Sequence, residues 1–170
     1  MTSLDHRLDP NLILTPERLI LYRLARTRYA NLSGVGAAAF PGRWNRPGEP
    51  AIYTSIEQST PVLELLAHTP KDTIPSNLSM MKISLFGWPK QSTEVSVIDS
   101  LRAAMTTTVW SESEVHPFAI AVPSVILPVW NVVLYPSAKG FWQHVSLASI
   151  EPFTFDPRLF PKGTLAESAT

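Results

Sequence analysis

Residues 40–69 read FPGRWNRPGEPAIYTSIEQSTPVLELLAHT, and this stretch decides how the rest of the chain is read. Pro41-Gly42 and Pro47-Gly48 are strong turn formers, which puts Arg43, Trp44 and Asn45 on a tight loop. Ala51-Ile52-Tyr53 follows as an apolar strand. Ser59-Thr60-Pro61 then starts a helix, with proline near its first position. Val62, Leu63, Leu65 and Leu66 make that helix largely apolar, yet Glu64 stands among them. A carboxylate in such surroundings is costly unless it is paired or hydrogen-bonded. Arg23 or Arg43 is the expected partner. A position at the solvent edge, or a structural ion pair, is the plainer account of the same residue, because structural pairs perturb carboxylates as functional sites do.

Outward from this stretch, Leu19 to Leu24 is a short run of strand formers interrupted by Arg23. That arginine either lays its stem on the sheet with its head in water or aims a planar fork at a phosphate or carboxylate. Residues 31–36, NLSGVG, lack the third glycine and the Lys-Ser/Thr of nucleotide loops and are expected to form a mobile loop. Strands are expected over 79–85, 118–122, 125–127, 130–134 and 146–155, with 106–109 extended. A polar linker is expected over 90–96 and a helix over 97–105. Asn131 either caps a bend through its side chain or holds a ligand. The sequence thus predicts an α/β (α+β) fold of one domain, a mixed or antiparallel β core flanked by helices. Its expected bounds are 17–160, between an N-terminal arm over 1–16 and a loose tail over 161–170.

Fourteen basic and fourteen acidic residues give zero net charge, so the electrostatic footprint of a nucleic-acid binder is missing. The chain has no cysteine, which excludes disulfides, thiolate zinc sites and a cysteine nucleophile. The four histidines lack metal-site spacing, and no metal is expected. The N-terminus has no signal-peptide core. The apolar run 118–135 is broken by Pro123, Ser124, Pro128 and Asn131, so it reads as buried strands joined by a proline turn rather than a membrane span. A cytoplasmic protein is the default. Only 16% of residues are charged, against roughly 25% in soluble domains. Part of the surface is therefore expected to be covered by a partner or by a second copy of the chain.

Two arginines, a tyrosine and a glutamate on adjacent elements suit an anionic substrate with a flat ring that is split with build-up of positive charge. The arginines would hold a pyrophosphate, Tyr53 would stack on the ring, and Glu64 would steady an oxocarbenium-like ribose. Cleavage of the nicotinamide–ribose bond of NAD fits this description, since its leaving group departs neutral.

The order Tyr22-Arg23, Gly42-Arg43-Trp44-Asn45, Ile52-Tyr53-Thr54-Ser55, Leu63-Glu64-Leu65-Leu66, Val122-Pro123-Ser124 and Asn131 resembles the RES domain, and the closing Phe155-Asp156-Pro157-Arg158-Leu159 is similar to that family's C-terminal end. The resemblance implies the fold of ADP-ribosylating toxins and the toxin role in a bacterial toxin–antitoxin pair neutralised by an Xre-type antitoxin. It implies NAD as substrate, consumed by hydrolysis or phosphorolysis, with ADP-ribosylation of a protein as the alternative and a non-catalytic binding module as the third reading. By motif position it implies Arg23, Tyr53 and Glu64 as catalytic residues, and Arg23, Arg43, Tyr53, Ser124 and Asn131 as contacts to NAD. Two departures accompany it. Tyr135-Pro136-Ser137-Ala138 stands where the family has Asn-Pro followed by His, and Trp110 marks the place of a Gly-x-x-Trp segment.

Overall fold

The computed structural model describes residues 18–70, 73–86, 91–93, 107–110 and 117–160. The expected N-terminal arm, the helix over 97–105 and the C-terminal tail lie outside the described residues. Eight strands form one sheet: β1 (Leu19–Arg26), β2 (Ile52–Ser55), β3 (Leu78–Leu85), β4 (Gln91–Thr93), β5 (Thr107–Trp110), β6 (Ala119–Pro123), β7 (Trp130–Leu134) and β8 (Val145–Phe153). Their order is β4-β5-β6-β7-β2-β1-β3-β8, and each described pairing is antiparallel. Of the expected mixed or antiparallel core, the chain builds the antiparallel form among the described strands. The two halves of the sheet meet at β1 and β2, which share one register pair, Tyr22 opposite Ser55.

Strand alternation sorts the side chains onto two faces. Ile52, Val132, Leu134, Ala119 and Ala121 join Leu21, Met81, Ile83 and Leu85 in the main core, closed by the fully buried Phe141. On the other face, Ala51, Val122, Val133 and Tyr135 form a second cluster against which Trp44, Tyr53 and Ala37 pack. Helix α2 (Ser59–His68) presents Val62, Leu65 and Leu66 to Leu24, Leu78, Phe155 and Phe160. Those three positions follow the i, i+3, i+4 rule for a helix lying on a core. Glu64 falls on the flank of that stripe, in line with Thr60 and His68, so it borders the sheet without entering the core.

Three local expectations need correction. Residues 31–36 are no open loop: Asn31 Oδ1 accepts from the Ser33 backbone N–H and hydroxyl, and Gly34 leads into the short helix α1 (Val35–Ala39). The polar stretch 90–96 contains β4, and 125–127 is a bend rather than strand. The four-residue helix α3 (Phe141–His144) was not expected, being too short for a periodic signal. Gly34 has φ +67°, and an added Cβ would lie 2.8 Å from Ala51 N. Left-handed backbone costs a non-glycine residue about 1–3 kcal/mol. Gly34→Ala is expected to destabilise by that amount, read as a shifted urea midpoint with an unchanged slope.

Candidate functional site

Strands β2 and β7 pair from Ile52 opposite Leu134 to Ser55 opposite Asn131. That register sets Tyr53, Ser55 and Asn131 on one face, beneath α2 and the loop 40–49. Asn131 Oδ1 accepts from the Ser55 hydroxyl at 2.7 Å, and its Nδ2 donates to Glu64 Oε1 at 2.9 Å. The Ser124 hydroxyl, just past the end of β6, donates to the same Glu64 oxygen at 2.8 Å. The half-buried carboxylate is therefore held by two neutral dipoles. Among the described residues, neither arginine pairs with it, which corrects the expected ion pair with Arg23 or Arg43. The physical reason is register: a strand 67 residues away delivers an amide to hydrogen-bonding distance, and burial needs donors rather than net charge. Both donors go to Oε1, and Oε2 has no hydrogen-bond partner among the described residues.

A cleft of about 260 Å³ opens beside this carboxylate, lined by Glu64, Asn131, Tyr53, Arg43, Trp44 and His68, with Val122, Pro123 and Val125 as its apolar wall. His68 Nδ1 lies 2.8 Å from the Glu64 carbonyl. A carbonyl only accepts, so Nδ1 carries the hydrogen and Nε2 is the other polar atom of the ring.

The loop above the cleft is fixed by its own hydrogen bonds. Asn45, nearly buried, donates to the carbonyls of Ala37, Arg46 and Glu49 and accepts from Gly42 N–H and the Tyr53 hydroxyl. Tyr53 in turn accepts the Trp44 N–H at 2.9 Å, and the Tyr135 hydroxyl donates to the Trp44 carbonyl at 2.6 Å. Gly42 runs so close to the Tyr53 ring that a Cβ there would meet its hydroxyl at 2.5 Å. The Tyr53 hydroxyl is thus committed to the loop, and the edge and face of its ring are what the cleft sees.

The structure brings Arg43, Tyr53, Glu64 and Asn131 to one cleft and ties Ser124 to Glu64. It does not bring Arg23 to the cleft wall. β1 abuts β2 through Tyr22, and Arg23 Nη1 instead donates to the Asn31 carbonyl at 3.2 Å. Burial pulls the Arg23 pKa below its ordinary value, and no carboxylate pairs with it among the described residues. Sequence reasoning missed Ser55, His68 and Tyr135 as parts of this region. For Ser55 and Tyr135 the signal is tertiary, since Ser55 and Asn131 are 76 residues apart and Trp44 and Tyr135 are 91 apart. His68, by contrast, stands four residues after Glu64 on one helix, a spacing legible in the sequence. Asn131 caps no bend; its side chain bridges Ser55 and Glu64.

Burial pushes the phenols of Tyr53 and Tyr135 above the ordinary value of 10.0. Acids with raised folded pKa values lend stability that is full below their unfolded pKa and is lost as pH rises through it. The melting temperature is expected to hold to about pH 9 and fall above about pH 10, less steeply in Tyr135→Phe. A curve flat to about pH 12 would show that the two hydroxyls carry no such linkage.

The fold is an antiparallel sheet with a dipole-held carboxylate at the foot of a cleft that Arg43 also lines. The chain belongs to the RES domain family, whose sequence pattern matches residues 20–156. It is 32% identical over 155 residues to Toxin Res of Photorhabdus laumondii, covering 83% of this chain and 97% of that protein. It is 28% identical over 149 residues to Toxin Res of Pseudomonas putida, covering 84% and 100%. It is 27% identical over 154 residues to the Prs ADP-ribosylating toxin of a Sphingobium species, covering 81% and 92%. A chain in the crystal structure of the M. tuberculosis MbcT-MbcA toxin–antitoxin complex shares the fold with a TM-score of 0.59, at 19% identity over 85% of this chain and 88% of that one. Among the described residues, no helix is long and apolar enough to cross a membrane, and no group of three or more acidic or histidine side chains gathers as for a metal ion.

Proposed function

We propose that this protein is the toxin of a bacterial toxin–antitoxin pair and acts by cleaving the nicotinamide–ribose bond of NAD in the cytoplasm. The observation that carries this reading is Glu64, a carboxylate with one oxygen fixed by Ser124 and Asn131 and the other left to the cleft. In the reaction, the bond between the ribose carbon and the ring nitrogen breaks and its electron pair leaves with nicotinamide, which becomes neutral. Positive charge then develops on the ribose. An opposite charge about 4 Å away is worth about 4 kcal/mol at an effective dielectric of about 20. Because the donors are already in place, no reorganisation is needed as that charge appears. Water or phosphate forms the new bond to the ribose carbon and gives up a proton.

The cleft, about 260 Å³, is smaller than the roughly 300–1,000 Å³ of ligand pockets, so it would take the nicotinamide end and the remainder of the dinucleotide would run outward past Arg43. Tyr53 would bound the nicotinamide ribose. Arg23, with one of its five donors spent on a carbonyl, would meet the more distant phosphate. The antitoxin partner is supported by the structural neighbour, itself described as part of a toxin–antitoxin complex. The Xre type of that antitoxin follows from the family resemblance, and a homodimer is consistent with the sparse surface charge.

A second reading, transfer of ADP-ribose to a protein, is favoured by the relative named an ADP-ribosylating toxin. Incubation of the purified protein with adenine-labelled NAD, alone and with lysate, separates the two. Hydrolysis gives free nicotinamide and ADP-ribose in both samples, while transfer leaves label on a protein band in lysate alone. Unchanged NAD in both, with wild-type protein that melts cooperatively, would overturn the enzymatic reading in favour of a binding module.

A further inference from the structure

We infer that Tyr135 is a positioning residue that sets Arg43 over the cleft by holding the Trp44 carbonyl, an inference resting on the NAD reading above. Trp44 is held at both of its backbone groups: its N–H, in the peptide unit shared with Arg43, donates to the Tyr53 hydroxyl, and its carbonyl, in the next unit, accepts from the Tyr135 hydroxyl. Tyr53 sits on β2, and Tyr135 follows the end of β7, the neighbouring strand. Both strands belong to the second apolar cluster, where Tyr135 is 8% exposed and packs beside Ala51, Val122 and Val133. The clamp is thus anchored among buried apolar side chains. Arg43 is the next residue back along the chain. It is exposed, lines the cleft and makes no hydrogen bond or ion pair among the described residues. An exposed arginine loses much rotamer freedom on meeting a ligand. Fixing the backbone of its neighbour removes the loop's share of that ordering cost before the ligand arrives. Tyr135 is not in the cleft, so whatever it contributes passes through residues 43 and 44.

The test is a double-mutant cycle with an exchange measurement beside it. Tyr135→Phe keeps the ring in its apolar cluster and deletes one hydroxyl. It is expected to raise KM for NAD about 5–10-fold with kcat within about twofold, the effect of one lost hydrogen bond on ground-state binding. Arg43→Ala is expected to raise KM more, and the double variant no further than Arg43→Ala alone, because both changes remove one contact. Additive effects, or a fall in kcat with KM unchanged, would overturn the inference. Deuterium exchange at the Trp44 amide is independent of turnover and is expected to quicken about 10-fold or more in Tyr135→Phe. Unchanged exchange refutes the clamp even if NAD is cleaved. If NAD is not cleaved, quickened exchange retains the clamp while the proposed reaction fails.

Discussion

Glu64→Gln lowers the rate of NAD consumption by at least about 100-fold while leaving the fold intact, the scale expected when one preorganised electrostatic contact is lost. The variant is informative because of how the carboxylate is held. Ser124 and Asn131 both donate to Oε1, and a glutamine carbonyl can accept both bonds in the same place. Its amide nitrogen then occupies the position of Oε2, so shape and packing persist and only the negative charge facing the cleft disappears. Replacing a charged acceptor with a neutral one weakens each hydrogen bond roughly twofold, a stability change of about 1 kcal/mol or less. Activity and stability should therefore separate. Release of nicotinamide, followed by chromatography beside a thermal melt, measures both. A variant that melts like the parent and still consumes NAD within about fivefold of it would remove Glu64 from the mechanism.

Asn131→Asp is expected to be as damaging to activity and far more damaging to the fold, although it changes one atom group. Asn131 is a hinge between two neighbours: it accepts from the Ser55 hydroxyl and donates to Glu64. Aspartate can still accept from Ser55, but it presents an oxygen where Glu64 needs a donor. Two carboxylates about 3 Å apart repel by on the order of 5 kcal/mol even at an effective dielectric of about 20. One of them must then bind a proton to remain folded. A folded-state carboxyl pKa raised above its unfolded value gives stability that is present at low pH and lost as pH rises through the unfolded pKa. The variant should therefore lose stability between about pH 4 and pH 7, where the parent does not. Melting curves across that range decide it. A parallel pH dependence for parent and variant would mean that the amide donates nothing of consequence to Glu64.

These two side chains also show where sequence reading reaches and where it stops. The turn over Pro41-Gly42 and Pro47-Gly48, the strand at Tyr53 and the helix carrying Glu64 are dictated by neighbours within a few residues, through backbone torsions and apolar spacing, and each formed where the sequence places it. The same local logic reads strands at 19–24, 79–85, 118–122 and 130–134 and hence the antiparallel core. It fails where the determinant is not local. Residues 31–36 read as open loop because nothing nearby shows that Gly34 packs against Ala51, and α3 is too short to carry a period of its own.

The residue order alone supplies the inventory: the main elements, the unusual glutamate on an apolar helix, the arginines near it and the absence of cysteine chemistry. Only the tertiary structure decided the partnerships. It gave Glu64 a serine and an asparagine in place of an arginine, sent Arg23 to the Asn31 carbonyl and closed two tyrosines on Trp44. The reason is that hydrogen bonds act over about 3 Å, whereas Glu64 lies 60 and 67 residues from Ser124 and Asn131, and Trp44 lies 91 from Tyr135. Their meeting is fixed by sheet register, and register is set by the burial of whole faces rather than by any one residue.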